Sequence, residues 1–498
     1  MTPQPTTLIE LYEQRRTDGE ALLVEGVDGL SSCTSGGAWA RAAQIAHVLE
    51  DHGVRPGDRI VLQVDKSTEA LLVYLACVRA GAAIVPVNPA YTEAELVHLL
   101  GDAEPSLVIA DPSLPAANAP ATVLTLDTAG GGTLLGLATD APTTAPPFVA
   151  TPDSFAAMVY TSGTTGRPKG AIISHRNLTS NALALAAAWG FEPSDRLLHM
   201  LPIFHVHGLF VAVNVTIAGG GSLVLAPRFD VGVALEQLPR CTAMMGVPTF
   251  YTRLLGDDRF GAETCRNARL IISGSAPLLL ASTHDEFRER TGHVILERYG
   301  MTETSMLTSN PLVGGRKPGT VGPPIDGVSV RVVDPLTGEP VGVGEVGGIE
   351  VSGPNVFAGY WKRPDQTRTE FTVDGYFRTA DVGTIDSDGY LTIVGREKDL
   401  IISGGLNVYP KEIEEAIDAQ PGVLVSAVIG VPDPDFGEAV VAVVVAGPGE
   451  TVDIVALRDS LRPILAGYKV PKRIHVVDAL PQNAMGKVEK ERLRVLFS

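Results

Sequence analysis

The chain is a series of short apolar runs separated by turn residues, and between several of the runs apolar positions recur at helical spacing. "RIVLQV" (59–64), "AIVPV" with the following Asn88 (83–88) and "SLVIA" (106–110) predict buried strands. Between the first two, "STEALLVYLACVRAG" predicts a helix that stops at its terminal glycine. Strand, helix, strand is the local grammar, which implies an α/β fold with a mostly parallel sheet and helices on its faces. A Thr/Pro/Ala-rich stretch (138–153) reads as a surface linker. The alternation then resumes through "GSLVLAP" (221–227), "ARLIISGSAP" (268–277) and "HVILERYG" (293–300).

From about 325 to 395 the pattern changes to strands joined by turns such as "DPLTGEP" and "DSDGY", which predicts a β-rich subdomain. After "GREKDLIISGG" the last hundred or so residues read as a small α+β unit. Helices are expected at "PKEIEEAIDAQ" and near 453–465, and strands at "VSAVIGV", "AVVAVVVAG" and "RIHVVD". The expected division is a large domain over 1–397 and a small C-terminal domain over 398–498.

Composition narrows the function. A length of 498 residues exceeds what one compact core usually serves. The formal charge of −18 argues against nucleic acid or an anionic membrane surface as partner. Cys33, Cys77, Cys241 and Cys265 are scattered without metal-ligand spacing, the N-terminus lacks the order of a signal peptide, and no apolar run approaches a membrane span. A reduced, cytoplasmic enzyme is expected.

The candidate chemistry begins at "YTSGTTGRPKG" (160–170), which follows an apolar run. Glycines let backbone N–H groups turn into a concavity, hydroxyls add donors, and a lysine supplies the charge that polyphosphate needs. Thr161, Ser162, Gly163, Thr164, Thr165, Gly166 and Lys169 are the candidate phosphate ligands. It is not a Walker A loop, because Lys169 is followed by Gly170 rather than by Ser or Thr.

This string resembles the signature of the adenylate-forming enzymes, which include acyl-CoA synthetases, peptide-synthetase adenylation domains and luciferases. Further motifs follow in that family's order: "HVHG" (205–208), "YGMTET" (299–304), "YFRTAD" (376–381), "GREKDLIISGG" (395–405) and "NAMGK" (483–487). The resemblance implies a large adenylation domain with a small mobile C-terminal domain. It also implies a two-step ligation that uses ATP, Mg2+ and CoA: a carboxylate displaces pyrophosphate from ATP, and a thiol then displaces AMP.

By motif, Glu303 resembles the magnesium ligand and Thr302 the α-phosphate donor. Asp381 resembles the ribose acceptor, assisted by Arg396, and Ser275, Ala276 and Tyr299 surround the adenine. Lys487 resembles the lysine of the adenylation transition state, Lys398 the hinge, and Ser403, Gly404 and Gly405 the segment brought against CoA. Where the family usually has Thr-Gly-Asp, Ala380 stands at the glycine, and the expectation is that this position does not need a positive φ. The context of Lys487 also resembles one in which acyl-CoA synthetases are switched off by a lysine acetyltransferase.

Arg298 is the feature that separates this chain from most of that family, which has a small residue just before the motif tyrosine, lining the acyl tunnel. A guanidinium there suits a carboxylate held bidentately. The implied substrate is a short dicarboxylate, with His205 and His207 as further donors. "ERYGMTET", "LPIFHVHGLFVA", "MGVPTFYTRLL" and "GGLNVYPKEIE" resemble the malonyl-CoA synthetases in particular. The alternative is ligation of another short or medium-chain carboxylate to CoA.

Overall fold

A computed structural model describes residues 4–15, 19–144, 148–161, 168–274, 279, 281–335, 337–404, 406–482 and 488–498. The chain packs as two units, residues 1–330 with 351–377, and residues 331–350 with 378–498.

The first unit is built on two mixed sheets. One has the strand order Gly359–Tyr360, Lys169–Ser174, Phe155–Thr161, Ala83–Pro86, Arg59–Gln63, Leu107–Ala110, Val123–Thr125. The five strands from Phe155–Thr161 onward are parallel, and the two at the other edge are antiparallel additions. The helix expected after the first of these strands forms over Thr68–Ala80. Ser67 caps its start by accepting from the Ala70 N–H, and Gly81 ends it at φ +70°. A left-handed C-cap is a conformation that glycine adopts without steric cost.

The second sheet runs Ser305–Ser309, Leu296–Met301, Leu270–Ser273, Ala243–Gly246, Arg196–His199, Ser222–Leu225, Leu22–Gly26, Cys33–Thr34. Its six inner strands are parallel and its two edges antiparallel. The parallel strands are buried on both faces, which is why they read in the sequence as unbroken apolar runs rather than as alternation.

In the second unit most of a four-stranded sheet (Ser329–Val333, Gly347–Ser352, Phe377–Ile385, Leu391–Arg396) accounts for the expected β-rich stretch. A further sheet has the order Leu406–Val408, Ile401–Ser403, Gly437–Ala446, Val423–Asp433, with Arg473–Val477 beside Gly437–Ala446. Helices Pro410–Asp418 and Ile454–Leu461, at the positions expected, supply Ile413, Ile417, Leu457 and Leu461 to its core. A final helix, Lys490–Phe497, was not expected. Among the described residues no helix is long and apolar enough to cross a membrane.

Candidate active site

The string 160–170 joins the antiparallel strands Phe155–Thr161 and Lys169–Ser174, with Thr161 opposite Lys169. Ser162, Gly163, Thr164, Thr165 and Gly166 lie outside the described residues. Lys169 is buried, 7% exposed, and its ammonium sits 3.1 Å from Glu370 Oε1 and 4.1 Å from the centroid of the Tyr360 ring. Tyr360 arrives there because Gly359–Tyr360 pairs with the lysine's own strand. Its hydroxyl lies 2.8 Å from Glu370 Oε2 and 3.0 Å from Glu303 Oε1. One phenolic hydrogen thus stands between two carboxylates. Burial, reinforced by both carboxylates, pushes the Tyr360 phenol far above its usual range.

Glu303 follows Thr302 in the tight turn between Leu296–Met301 and Ser305–Ser309. The turn is pinned from behind. The Phe357 N–H donates to the Glu303 carbonyl at 2.8 Å, and the Asn355 amide donates to the Thr304 and Met306 carbonyls at 2.8 and 3.0 Å. Among the described residues no three acidic, His or Cys side chains gather into a metal cage. A single buried carboxylate on a fixed turn fits magnesium, which takes few protein ligands and completes its shell with water and phosphate oxygens. Glu303 would hold the ion, which would supply charge neutralisation at the phosphates.

Arg298 projects from the strand Leu296–Met301 and is 2% exposed. Burial pushes its guanidinium down to about 9, partly offset by Tyr251, so it still carries its charge at neutral pH. The guanidinium lies flat on Gly274: a Cβ at that glycine would stand 2.6 Å from Arg298 Cζ and Nη1. The neighbouring acid is not its counter-ion. Alternation along the strand turns Glu297 to the other face, where its carboxylate meets His284 Nε2 at 3.0 Å and the Leu279 N–H at 2.9 Å.

His207 opens a π-helical turn, His207–Ala212, of a kind common at functional sites. Burial, then the charge of Arg298, hold its imidazole well below the usual range and therefore neutral. His199 and His205 add to the same effect, which puts all four side chains in one electrostatic neighbourhood. His205 is half-buried. Gly274 escaped the sequence reading. Its only signal is a glycine placed immediately after an apolar strand.

Tyr299 is half-buried on the Arg298 strand, while Ser275 and Ala276 lie outside the described residues. In the second unit Asp381 and Arg396 face each other across adjacent antiparallel strands, with Arg396 Nε 2.8 Å from Asp381 Oδ1. Asp381 is buried and Arg396 half-buried. Ala380 corrects an expectation. Its φ is +57°, so the position does take the left-handed conformation for which glycine is suited, and alanine holds it with steric strain. The flanking residues over-determine it: Thr379 Oγ1 donates to the Ile349 carbonyl at 2.9 Å and accepts the Asp381 N–H at 3.1 Å.

Lys398 sits in the 3-10 turn Glu397–Asp399, ahead of the strand Ile401–Ser403 in which Ser403 is buried. Gly404 has φ +61° and donates its N–H to the Phe436 carbonyl at 2.8 Å. Gly405 and Lys487 lie outside the described residues.

Comparison with known proteins identifies the family. The AMP-binding enzyme family matches residues 12–361, and the AMP-binding enzyme C-terminal domain matches residues 412–487. The chain is 39% identical to feruloyl-CoA synthase of Amycolatopsis sp, over 92% of each chain. It is 35% identical to malonate–CoA ligase of Arabidopsis thaliana, over 89% of this chain and 79% of that one. ATP-bound MatB from Rhodopseudomonas palustris shares 50% identity, covers 98% of both chains and superposes with a TM-score of 0.94. The chain belongs to the AMP-binding family of adenylate-forming enzymes.

Proposed function

We propose that this enzyme ligates malonate to CoA: ATP and malonate give malonyl-adenylate and pyrophosphate, and the CoA thiol then displaces AMP. The observation that carries the substrate is Arg298, a buried guanidinium seated on Gly274 beside a neutral His207. A planar fork of donors in a desolvated site grips one carboxylate bidentately and leaves the other free to react. The likeness to a plant malonate–CoA ligase supports the same substrate. Methylmalonate, which adds one methyl group between the carboxylates, is a candidate second substrate.

ATP and Mg2+ are used with CoA as co-substrate. In this reading Thr161, Lys169 and the intervening loop hold the phosphates, with Thr302 on the α-phosphate and Glu303 on magnesium. Asp381 and Arg396 take the ribose, and Ser275, Ala276 and Tyr299 the adenine. Lys487 bridges carboxylate and α-phosphate during adenylation, and acetylation there would remove the charge the transition state needs.

The moving parts are 1–397 and 398–498. This functional division differs from the packing units, and its pivot is Lys398, with Ser403, Gly404 and Gly405 presented to CoA. The protein acts in the cytoplasm. ATP–pyrophosphate exchange across malonate, methylmalonate, succinate, butyrate and ferulate tests the substrate. Malonate is expected to give the highest kcat/KM. A preference for butyrate or ferulate would overturn the dicarboxylate assignment in favour of another acyl-CoA ligase.

A further inference from the structure

We propose that Glu370 is a positioning residue that acts as the internal counter-ion of Lys169, standing where a phosphate oxygen must later stand and reclaiming the lysine as pyrophosphate departs. The inference rests on the reading of Lys169 as a phosphate ligand and is independent of which carboxylate is activated.

The geometry is that of a built cradle rather than a chance surface pair. Lys169 is 7% exposed and Glu370 26%, and the ammonium is held on two sides, by Glu370 Oε1 at 3.1 Å and by the Tyr360 ring face at 4.1 Å. Glu370 is itself fixed by the Tyr360 hydroxyl at 2.8 Å and by the Gln366 amide at 3.0 Å. The same hydroxyl reaches Glu303 at 3.0 Å, so the phosphate cation and the metal carboxylate are tied to one phenol.

A polyphosphate arriving at this lysine meets a carboxylate already paired with it. Binding therefore exchanges one ion pair for another and leaves Glu370 facing added negative charge. The carboxylate works against triphosphate and pyrophosphate affinity, and so in favour of pyrophosphate release. Lys169 is never left buried without a counter-ion at either end of the cycle, a state that would be costly.

Glu370→Gln keeps the shape and removes the competing charge. Titration calorimetry on the free enzyme, with sodium pyrophosphate in EDTA and no carboxylate or CoA, should show binding tighter by about two- to fivefold, the scale of one partly exposed ion pair. KM for ATP and kcat should fall together as pyrophosphate release slows. A merely structural role would lower the melting temperature and leave the pyrophosphate constant unchanged. Tyr360→Phe retains the ring but frees Glu370, and should tighten pyrophosphate by a smaller factor; it carries the test if Glu370→Gln fails to fold. Unchanged or weaker pyrophosphate binding in a folded variant overturns the proposal. Loss of malonate preference with these shifts intact would instead overturn only the substrate assignment.

Discussion

Two buried cations on strands of the same unit, Lys169 and Arg298, sit in different surroundings. Lys169 has a carboxylate on its ammonium and an aromatic ring at its side, so its charge is neutralised from within before any ligand arrives. Arg298 is buried against backbone. It lies on a bare glycine beside an imidazole kept neutral, while the nearest acid in sequence faces away. The difference follows the ligand each is read to serve. A polyphosphate brings several charges and must leave again as pyrophosphate, so an exchangeable internal partner suits it. A single distal carboxylate brings one charge, and a pre-shaped, poorly solvated receptor extracts the most from it.

The comparison breaks most visibly at Arg298→Gly. Removing the guanidinium should take about 2–5 kcal/mol from transition-state binding of malonate, as for truncation of a buried charge pair. Butyrate and hexanoate should gain, since they fill the vacated space without stranding a charge. Arg298→Lys should recover only part, because a point charge cannot reproduce the fork. Steady-state kcat/KM for the acids in each variant is the measurement, and equal losses on all of them would deny Arg298 its selective role.

Gly274→Ala sharpens the contrast. A methyl 2.6 Å from Arg298 Cζ must shift the guanidinium, at a cost on the order of 1–3 kcal/mol in malonate kcat/KM. Pyrophosphate binding to the free enzyme, which reports on Lys169 rather than on the adenine segment after Gly274, should hardly move. If both constants worsen together, the two ends are not separately built.

The smallest effect is expected at Ala380, in the second unit. Ala380→Gly should relieve a left-handed alanine and raise unfolding free energy by roughly 1 kcal/mol, read by urea denaturation. Adenylation should stay near the wild-type rate, which would place the strain in the scaffold rather than in the chemistry.

Much of this was legible in the sequence. Local cues sufficed where the fold is local: apolar runs marked the parallel strands, and the Ser67 start and Gly81 stop marked a helix within a residue. The motif order carried the family, and the odd residue Arg298 prompted the dicarboxylate proposal. What stayed hidden was non-local or conformational. Lys169 and Glu370 are 201 positions apart, and nothing periodic relates them. The fit of Gly274 to Arg298 is a matter of tenths of an ångström between two strands. The φ of Ala380 was misjudged because an alanine looks like evidence against a left-handed backbone, whereas neighbouring hydrogen bonds can impose one. The final helix, Lys490–Phe497, was overlooked although its buried Leu493 sits among charged neighbours Lys490, Glu491, Arg492 and Arg494.

The two-residue strand Gly359–Tyr360 also sets a clock on the ribosome. It closes the edge of the sheet on Lys169–Ser174, yet it is synthesised about 190 residues later. At about 5–20 residues per second the nascent chain spends roughly 10–40 s with that edge unpaired and Lys169 without its aromatic wall. During that interval the growing protein has its acyl-side strands under construction but no finished phosphate cradle. Premature termination between Ser174 and Tyr360 would therefore release a chain with that sheet margin open, a template for aggregation rather than a shortened enzyme.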